Sequence, residues 1–171
     1  MVSSDLGIRA ALLQDAEDLV RLHYDAVHKG AKDDYAPEVL ASWSPQPSEH
    51  RYAWMRTQIE SGHNRVLVAE KKAGVVEGFC MFSPSEGIVF AVYVAPQSAR
   101  RGIGRCLLRS AESSIAEQGI LQSRLNASQN ALGFYLSEGY EVVERATQDL
   151  SDGSRMECYE MRKHLSVAVL G

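Results

Sequence analysis

The sequence is poor in cysteine and has only three such residues, Cys80, Cys106 and Cys158. They lie far apart, are odd in number and lack the spacing of metal ligands, which favours reduced thiols over a disulfide framework or a zinc site. We therefore expect no metal. Cys80 lies in a strand pattern and Cys106 in a helix pattern, and both are expected to be small buried hydrophobic residues.

The chain also lacks a long apolar run. No stretch reaches the length of a membrane span, and Met1 to Leu6 does not combine a basic segment with an apolar one. We therefore expect no membrane contact, no signal peptide and a cytoplasmic location. Positive charge is not in excess either, because the net charge is −4, so a nucleic-acid partner is not expected. Any charge that binds phosphate must be local.

The sequence has no feature that would divide the chain into separate domains. Its 171 residues suit one domain with a real core, and no linker, repeat or low-complexity run is present. We expect a single domain over 1–171. The hydrophobic fraction of 45% and charged fraction of 23% are ordinary for a globular protein.

The stretch from Val92 to Leu108 organises the sequence. An apolar strand breaks at Pro96, passes two arginines and two glycines, and continues as a helix. The first turn of any helix has unpaired N–H groups, and glycine lets a ligand approach them closely, so this helix start attracts anions such as phosphate. The predicted apolar face of the helix comprises Ile103, Leu107, Ala111 and Ile115. The arginines that add charge are Arg100, Arg101 and Arg105.

This loop is neither a P-loop nor a dinucleotide-binding fingerprint, because it lacks a Gly-Lys-Ser/Thr ending, a third glycine and a downstream acid. A tight turn without a ligand is an equally good interpretation of the loop alone. However, Arg-Arg-Gly-Ile-Gly at 100–104 is followed by Asn-Ala-Ser-Gln-Asn-Ala-Leu-Gly-Phe-Tyr-Leu-Ser-Glu-Gly-Tyr at 126–140. Together the two segments resemble the GCN5-related N-acetyltransferase (GNAT) family, over roughly Val66 to Tyr140. The resemblance implies acetyl-CoA as co-substrate and an amine as acceptor.

The resemblance also implies roles for individual residues. Tyr135 matches the tyrosine whose hydroxyl protonates the departing coenzyme A thiolate. Taken without the motif, Tyr135 would instead be a core aromatic residue whose hydroxyl is hydrogen-bonded. The main chain of Val92 and Val94 matches the strand that pairs with pantetheine and polarises the thioester. Asn130 fits the family motif as a contact to the coenzyme arm, whereas Asn126 either makes that contact or holds a strand bulge. The expected pyrophosphate site comprises Arg100, Arg101, Gly102, Ile103, Gly104 and Arg105.

Two positions depart from the family pattern. Ala99 occupies the first loop position, where Gln or Arg is common, so phosphate binding must use the main chain and the neighbouring arginines. Phe90 occupies the position where many relatives carry an acidic base. The general base is therefore unidentified, and Glu86 is a weak candidate that is better explained as a solvated turn carboxylate.

The remaining pattern predicts the order β-α-α-α-β-β-β-α-β-α-β-β. We expect an α/β (α+β) sandwich of the GNAT type, with a mixed, mainly antiparallel sheet flanked by helices, because hairpins dominate and one helix makes a parallel crossover. Ile88 to Val94 is almost continuously apolar, which predicts a central strand buried on both faces. Asp15 is expected to begin the first helix, with Asp18 completing a capping box.

Two predicted helices before the second strand, one starting at Pro37 and one capped by Ser48, are rich in aromatic residues. By resemblance this region forms the acceptor-side wall, although periodicity alone makes the aromatics core residues. Acidic residues there favour a cationic amine, or simply form a solvated face. The aromatics are Tyr35, Trp43, Tyr52 and Trp54, and the acids are Asp33, Asp34, Glu38 and Glu49.

The leading hypothesis is thus an N-acetyltransferase that acts on a primary amine of a small molecule or peptide. A non-catalytic acyl-CoA sensor or scaffold is the main alternative, and a fold that uses the loop for ATP is a weaker one. The apolar segment Ser166 to Leu170 is either a frayed end or a contact in a homodimer.

Overall fold

A computed structural model describes residues 5–71 and 74–166 of the chain. Its centre is one seven-stranded sheet with the order β1-β2-β3-β4-β5-β7-β6. Every neighbouring pair is antiparallel except β4 and β5, which the helix α4 connects as a parallel crossover. The predicted α/β class with a mixed, mainly antiparallel sheet is therefore confirmed.

The strands and helices follow the predicted order. The strands are β1 (Leu6–Ala10), β2 (Arg65–Lys71), β3 (Val76–Ser83), β4 (Ile88–Val94), β5 (Gln122–Ser128), β6 (Glu141–Asp149) and β7 (Arg155–His164). The helices are α1 (Ala16–Gly30), α2 (Pro37–Trp43), α3 (Glu49–Glu60), α4 (Ile103–Glu117) and α5 (Leu132–Ser137). The terminal strand pair is longer than its short apolar stretches predict. The turn residues Lys72 and Ala73 and most of the Ser166 to Leu170 segment lie outside the described residues.

Helices cover both faces of the sheet. On one face, α4 packs the predicted apolar side chains, Ile103, Leu107, Ala111 and Ile115, into the main core, where each is at most 4% exposed. On the other face, α1 and α3 enclose a second cluster around Phe79 and Val68. Cys80 is fully buried as predicted, whereas Cys106 is only half-buried. No helix in the described part of the chain is long and apolar enough to cross a membrane.

The start of α1 differs from the predicted capping box. Asp15 precedes the helix, but its carboxylate caps nothing in α1. It instead accepts from the Leu12 N–H at 2.7 Å, at the start of a short 3-10 turn, and forms an ion pair with Arg9 at 2.8 Å. Asp18 remains exposed. The ion pair with Arg9 therefore takes the Asp15 carboxylate in place of helix capping. The hydrogen bonds from Arg9 hold the pKa of Asp15 below the ordinary value.

The central strand β4 occupies the predicted middle of the sheet but is not buried on both faces. Only Val89 is buried, and Phe90 is 46% exposed. The prediction of burial was wrong because β4 borders a cleft. Its ladder to β5 has just two pairs, Ile88 with Arg124 and Val89 with Leu125, after which the strands separate. On the other side the β3 register shifts between Met81 and Phe82, so Phe90 is an extra residue in a bulge.

Gly78 sets how closely α4 approaches the sheet. A Cβ atom there would lie 2.9 Å from the Tyr93 carbonyl oxygen and 3.1 Å from Leu107. We predict that Gly78→Ala lowers the free energy of unfolding by about 1–3 kcal/mol, because backbone and a packed core residue must shift. Urea denaturation measures the change. Gly62→Ala is the matched control, since a Cβ there meets nothing within 4 Å. Equal stability of the two variants would contradict this packing account.

Candidate active site

Two cavities open where β4 and β5 separate. The first, here called the loop cavity, has a volume of about 1060 Å³ and is bordered by residues 99–102 before α4. The second, the aromatic cavity, has a volume of about 820 Å³ and is bordered by α2 and α3. Phe90, Tyr93 and Asn126 line both cavities. The cavities therefore meet at the cleft and approach it from different sides.

The start of α4 presents a run of unpaired main-chain donors. Gly102 caps the helix with a φ of 81°, and Arg100 has a φ of 63°, which is the left-handed region that an L side chain rarely adopts. In the described part of the chain, no acceptor pairs with the N–H groups of residues 100–105, whereas the next donor, Cys106, bonds Gly102 at 3.1 Å. Such consecutive donors form an anion-binding concavity.

The three arginines of the loop have different environments. Arg100 and Arg101 are exposed, line the loop cavity and form no ion pair within the described residues. Arg105 lines the same cavity, but its guanidinium bonds the buried carboxylate of Glu138 at 2.6 Å. Glu138 also accepts from Arg109 at 3.3 Å. The Arg105 charge is therefore compensated by Glu138, whereas Arg100 and Arg101 form no ion pair in the described part of the chain, and Arg101 has an electrostatic interaction with the buried carboxylate of Glu77. Sequence spacing gave no signal for Glu138.

The main chain of β4 carries free hydrogen-bonding groups into the cleft. The Ala95 N–H donates to the Glu77 carbonyl of the adjoining β3 segment at 2.8 Å. Because residues in an antiparallel ladder alternate between facing the partner strand and facing away, the polar groups of Val92 and Val94 face β5. They have no partner there, since β5 pairs with β4 only as far as Val89. Val92 and Val94 both line the loop cavity.

Tyr135 lines the loop cavity from α5, together with Ala131 and Phe134 as the i, i+3, i+4 spacing predicts. The residue is 6% exposed. Its hydroxyl makes no hydrogen bond within the described residues. The hydroxyl is not fully enclosed either, because Ser83 Oγ is the only side-chain polar atom of the described residues that is both fully enclosed and without a partner. The Tyr135 hydroxyl is therefore reachable from the cavity. Burial raises the pKa of Tyr135, which keeps the hydroxyl protonated.

The other predicted contacts divide into three kinds. Asn126 and Asn130 both line the loop cavity. The β5 ladder to β7 is regular at Asn126, so the alternative of a strand bulge at that residue is wrong. The side chain of Ile103 is buried in the core, so only its N–H can serve a ligand. Ala99, the departure from the family pattern, borders the cavity without a polar side chain.

The aromatic cavity is where two of the four predicted aromatic residues lie. Trp43 and Trp54 line it, and Trp54 is 50% exposed. Tyr35 instead links the turn before α2 to β7, because its hydroxyl donates to the Glu157 carbonyl at 2.5 Å and accepts from the Gln129 N–H at 2.9 Å. Tyr52 packs at the edge of the second core cluster. Of these four aromatic residues, the tryptophans line the cavity and the tyrosines do not, and the acceptor-side role of this wall stays a prediction.

A polar cluster that sequence reasoning missed lines the same cavity. His23 Nδ1 lies 2.9 Å from Arg51 Nη2 and 2.9 Å from Ser44 Oγ. An arginine only donates, so Nδ1 accepts and the proton of the neutral ring is on Nε2. Burial and the positive charge of Arg51 lower the pKa of His23 to about 3. His23 was expected at the edge of the core, and its ring does pack edge-on to Tyr93 at 4.5 Å.

The predicted acidic patch is absent from both cavities. All four residues are exposed and line neither, which agrees with a solvated face: Asp33, Asp34, Glu38 and Glu49. Glu86 is also exposed, in the turn before β4, and lines neither cavity. The carboxylates of the aromatic cavity are Asp149 and Glu160 instead. Asp149 is paired with Arg155 at 2.9 Å, whereas Glu160 forms no ion pair within the described residues.

The fold thus combines splayed central strands with a donor-rich loop and an adjoining α5 tyrosine. The family model described as acetyltransferase (GNAT) domain matches residues 31–163. The chain therefore belongs to the GNAT acetyltransferase family, and its class is that of N-acetyltransferase enzymes. No cluster of three or more potential metal ligands occurs in residues 5–71 and 74–166.

Known proteins resemble both the sequence and the fold. The N-acetyltransferase YuaI of Bacillus subtilis is 25% identical over 119 residues, which are 66% of this chain and 65% of that protein. A GCN5-related N-acetyltransferase structure from Rhodopseudomonas palustris is 25% identical, with a TM-score of 0.85 over 96% of this chain and 99% of the other. The Salmonella typhimurium protein yncA, solved with acetyl-CoA, is 24% identical, with a TM-score of 0.68 over 98% of each chain.

The arginine geometry leads to a test of coenzyme binding. We predict that replacing both Arg100 and Arg101 with alanine raises the Kd for CoA by about 10- to 100-fold, because charge-assisted contacts to phosphate are lost. The effect should shrink at high salt. Isothermal titration calorimetry measures both. Arg109→Ala is the control, since Arg109 is exposed but outside both cavities. Unchanged CoA affinity in the double variant would contradict a phosphate role for these arginines.

Proposed function

We propose that this protein transfers the acetyl group of acetyl-CoA to a primary amine of a small molecule or peptide, by direct attack in a ternary complex. The observation that carries the proposal is the meeting of two cavities at Phe90, Tyr93 and Asn126. One cavity has donors suited to a pyrophosphate and the other has an apolar wall. Both substrates can therefore be held at once, on either side of the cleft.

Acetyl-CoA fits the loop cavity from phosphate to thioester. The six N–H groups of residues 100–105, with Arg100 and Arg101, would hold the pyrophosphate. The free main-chain groups of Val92 and Val94 would pair with the pantetheine amides, with Asn130 or Asn126 beside that arm. A main-chain N–H of β4 would also polarise the thioester carbonyl, which gains negative charge during attack. A volume of about 1060 Å³ leaves room for this extended ligand.

The reaction forms one N–C bond and breaks one C–S bond. The neutral amine nitrogen attacks the thioester carbon, and coenzyme A departs as a thiolate that takes the proton of Tyr135. The proton that the new amide nitrogen loses restores the Tyr135 hydroxyl, directly or through solvent. A thiol has a pKa near 8.5, so the thiolate is a good leaving group and needs only modest help from an acid. The Tyr135 hydroxyl is protonated, reachable and without a protein partner, which supports its role as that acid.

A base must accept the proton of the ammonium, whose pKa is near 10. We propose Glu160. It is half-buried, lines the aromatic cavity and lies opposite Asn126 in the ladder between β5 and β7. Directly opposed residues share a face of the sheet, so Glu160 is on the same face as a residue that borders both cavities. Asp149 is the poorer candidate because Arg155 already pairs with it.

Removing the proposed acid should slow turnover. We predict that Tyr135→Phe lowers the rate of amine-dependent thiol release from acetyl-CoA by about 10²- to 10⁴-fold, with little change in the Kd for CoA. A thiol-reactive dye follows the release over a panel of polyamines, aminoglycosides, amino acids and peptide N-termini.

Tyr140→Phe is the matched control, because the Tyr140 hydroxyl bonds Ser123 at 2.8 Å and lines neither cavity. Full activity of Tyr135→Phe would remove the acid role. Tight CoA binding by the wild type, without thiol release for any amine, would instead favour a non-catalytic acyl-CoA module.

Removing the proposed base should make the rate depend on the free amine in solution. We predict that Glu160→Gln lowers kcat/KM by about 10²- to 10⁴-fold at neutral pH and that activity recovers as the pH rises toward the pKa of the amine. The pH profile of kcat/KM tests this. Glu144→Gln is the control, since Glu144 is exposed and pairs with Glu160 in the ladder but lines neither cavity. An equal loss at every pH would indicate a structural role for Glu160.

A further inference from the structure

Arg51 carries an uncompensated charge on the wall of the aromatic cavity. It is half-buried and forms no ion pair within the described residues. Its hydrogen bonds go to three neutral acceptors: the Pro45 carbonyl, His23 Nδ1 at 2.9 Å and Ser44 Oγ at 3.4 Å. A guanidinium has five N–H donors, so donors as well as charge remain available.

The chain keeps this charge unpaired although it pairs other arginines. Arg9 bonds Asp15 at 2.8 Å, Arg56 bonds Glu49 at 3.1 Å and Arg105 bonds Glu138 at 2.6 Å. Removing an arginine from water without a partner anion is unfavourable, and burial lowers the pKa of Arg51. A ligand anion would compensate this cost, whereas a purely structural position would be better filled by a paired or apolar residue.

The neighbours of Arg51 are arranged to leave it cationic. His23 accepts a hydrogen bond from it and is neutral, so it neither repels a ligand anion nor neutralises the guanidinium. Ser44 is fully buried, and its carbonyl accepts from His28 Nε2 at 2.8 Å, which fixes the segment between α2 and α3. Arg124 lines the same cavity, also without an ion pair in the described part. The carboxylate of Glu160 also lies on the cavity wall but forms no ion pair with Arg51.

We propose that the acceptor amine carries a carboxylate, which binds Arg51. This inference rests on the proposed function and names the class of its acceptor. Trp43, Trp54 and Phe90 line the rest of the cavity and favour an aliphatic or aromatic side chain on the carbon that carries the amine and the carboxylate. The amino end then faces the cleft, where Glu160 takes its proton. Apolar amino acids and similar amino carboxylates have this chemistry.

Matched amine pairs test the inference. Phenylalanine is compared with phenethylamine, and leucine with isopentylamine, so that only the carboxylate differs within a pair. We expect the wild type to prefer the carboxylate member by about 10- to 100-fold in kcat/KM, as for a charge-assisted hydrogen bond. Arg51→Gln should abolish this preference, measured as the ratio within each pair. Arg56→Gln is the control, because Arg56 lies on the same helix but outside the cavity, and it should keep the preference.

A binding measurement separates this inference from the proposed function. The acetylated products of each pair are titrated into the protein saturated with CoA, by calorimetry. Tighter binding of the carboxylate product that depends on Arg51 supports the inference even if no turnover occurs, in which case the proposed function fails alone. Turnover of both members of each pair at equal kcat/KM, or a preference that survives in Arg51→Gln, overturns the inference and leaves the acetyltransferase proposal standing.

Discussion

The separation of β4 from β5 is the constraint on which the rest of the structure depends. Two strands that follow each other through a crossover helix would ordinarily pair along their length, but here the ladder stops after two residue pairs. The cost is a row of unpaired main-chain groups, each worth about 1–3 kcal/mol if it remains unsatisfied away from water. Such a row persists only because the rest of the sheet is well paired and the two strands are held apart by what packs on either side of them.

Packing on the two faces of the sheet explains how the cleft stays open. On one face α4 fits against β3 because Gly78 has no side chain, and it carries the donor-rich loop to the mouth of the cleft. On the other face α1 and α3 form their own core cluster, and α2 and α3 bring Trp43, Arg51 and Trp54 to the aromatic cavity. The two core clusters thus support the walls of both cavities without filling either cavity. The buried carboxylate of Glu138, just after α5, bonds Arg105 of α4, and this ion pair connects the two helices beside Tyr135.

Local sequence signals predict much of this fold because they act over a few residues. The periodicity of α4, the proline at the start of α2, and the glycines beside the loop each depend on near neighbours, and each agrees with the structure. The errors arise where distant residues compete. Asp15 bonds Arg9 rather than capping its own helix, and the apolar pattern of β4 reflects the wall of a cleft rather than burial on both faces. An apolar strand looks the same in sequence whether it meets a core or a ligand.

The residues that line the loop cavity could be predicted from sequence, and those that line the aromatic cavity could not. The loop and the α5 segment are contiguous in the chain, so their motifs survive as patterns. The aromatic cavity combines Arg51 from α3, His23 from α1 and Glu160 from β7, which only the tertiary fold brings together. The acidic patch that suggested a cationic acceptor is exposed elsewhere, and the charge on the cavity wall at Arg51 has the opposite sign.

The most direct test of the central claim follows the backbone amides of β4 and the loop while CoA is added to ¹⁵N-labelled protein. If the free main-chain groups hold the coenzyme, the amide resonances of Val92, Val94 and residues 100–105 should shift most, and that of Val89, where the β5 ladder is still closed, should shift little. Saturable CoA binding that leaves the Val92, Val94 and 100–105 amides unchanged would contradict the account.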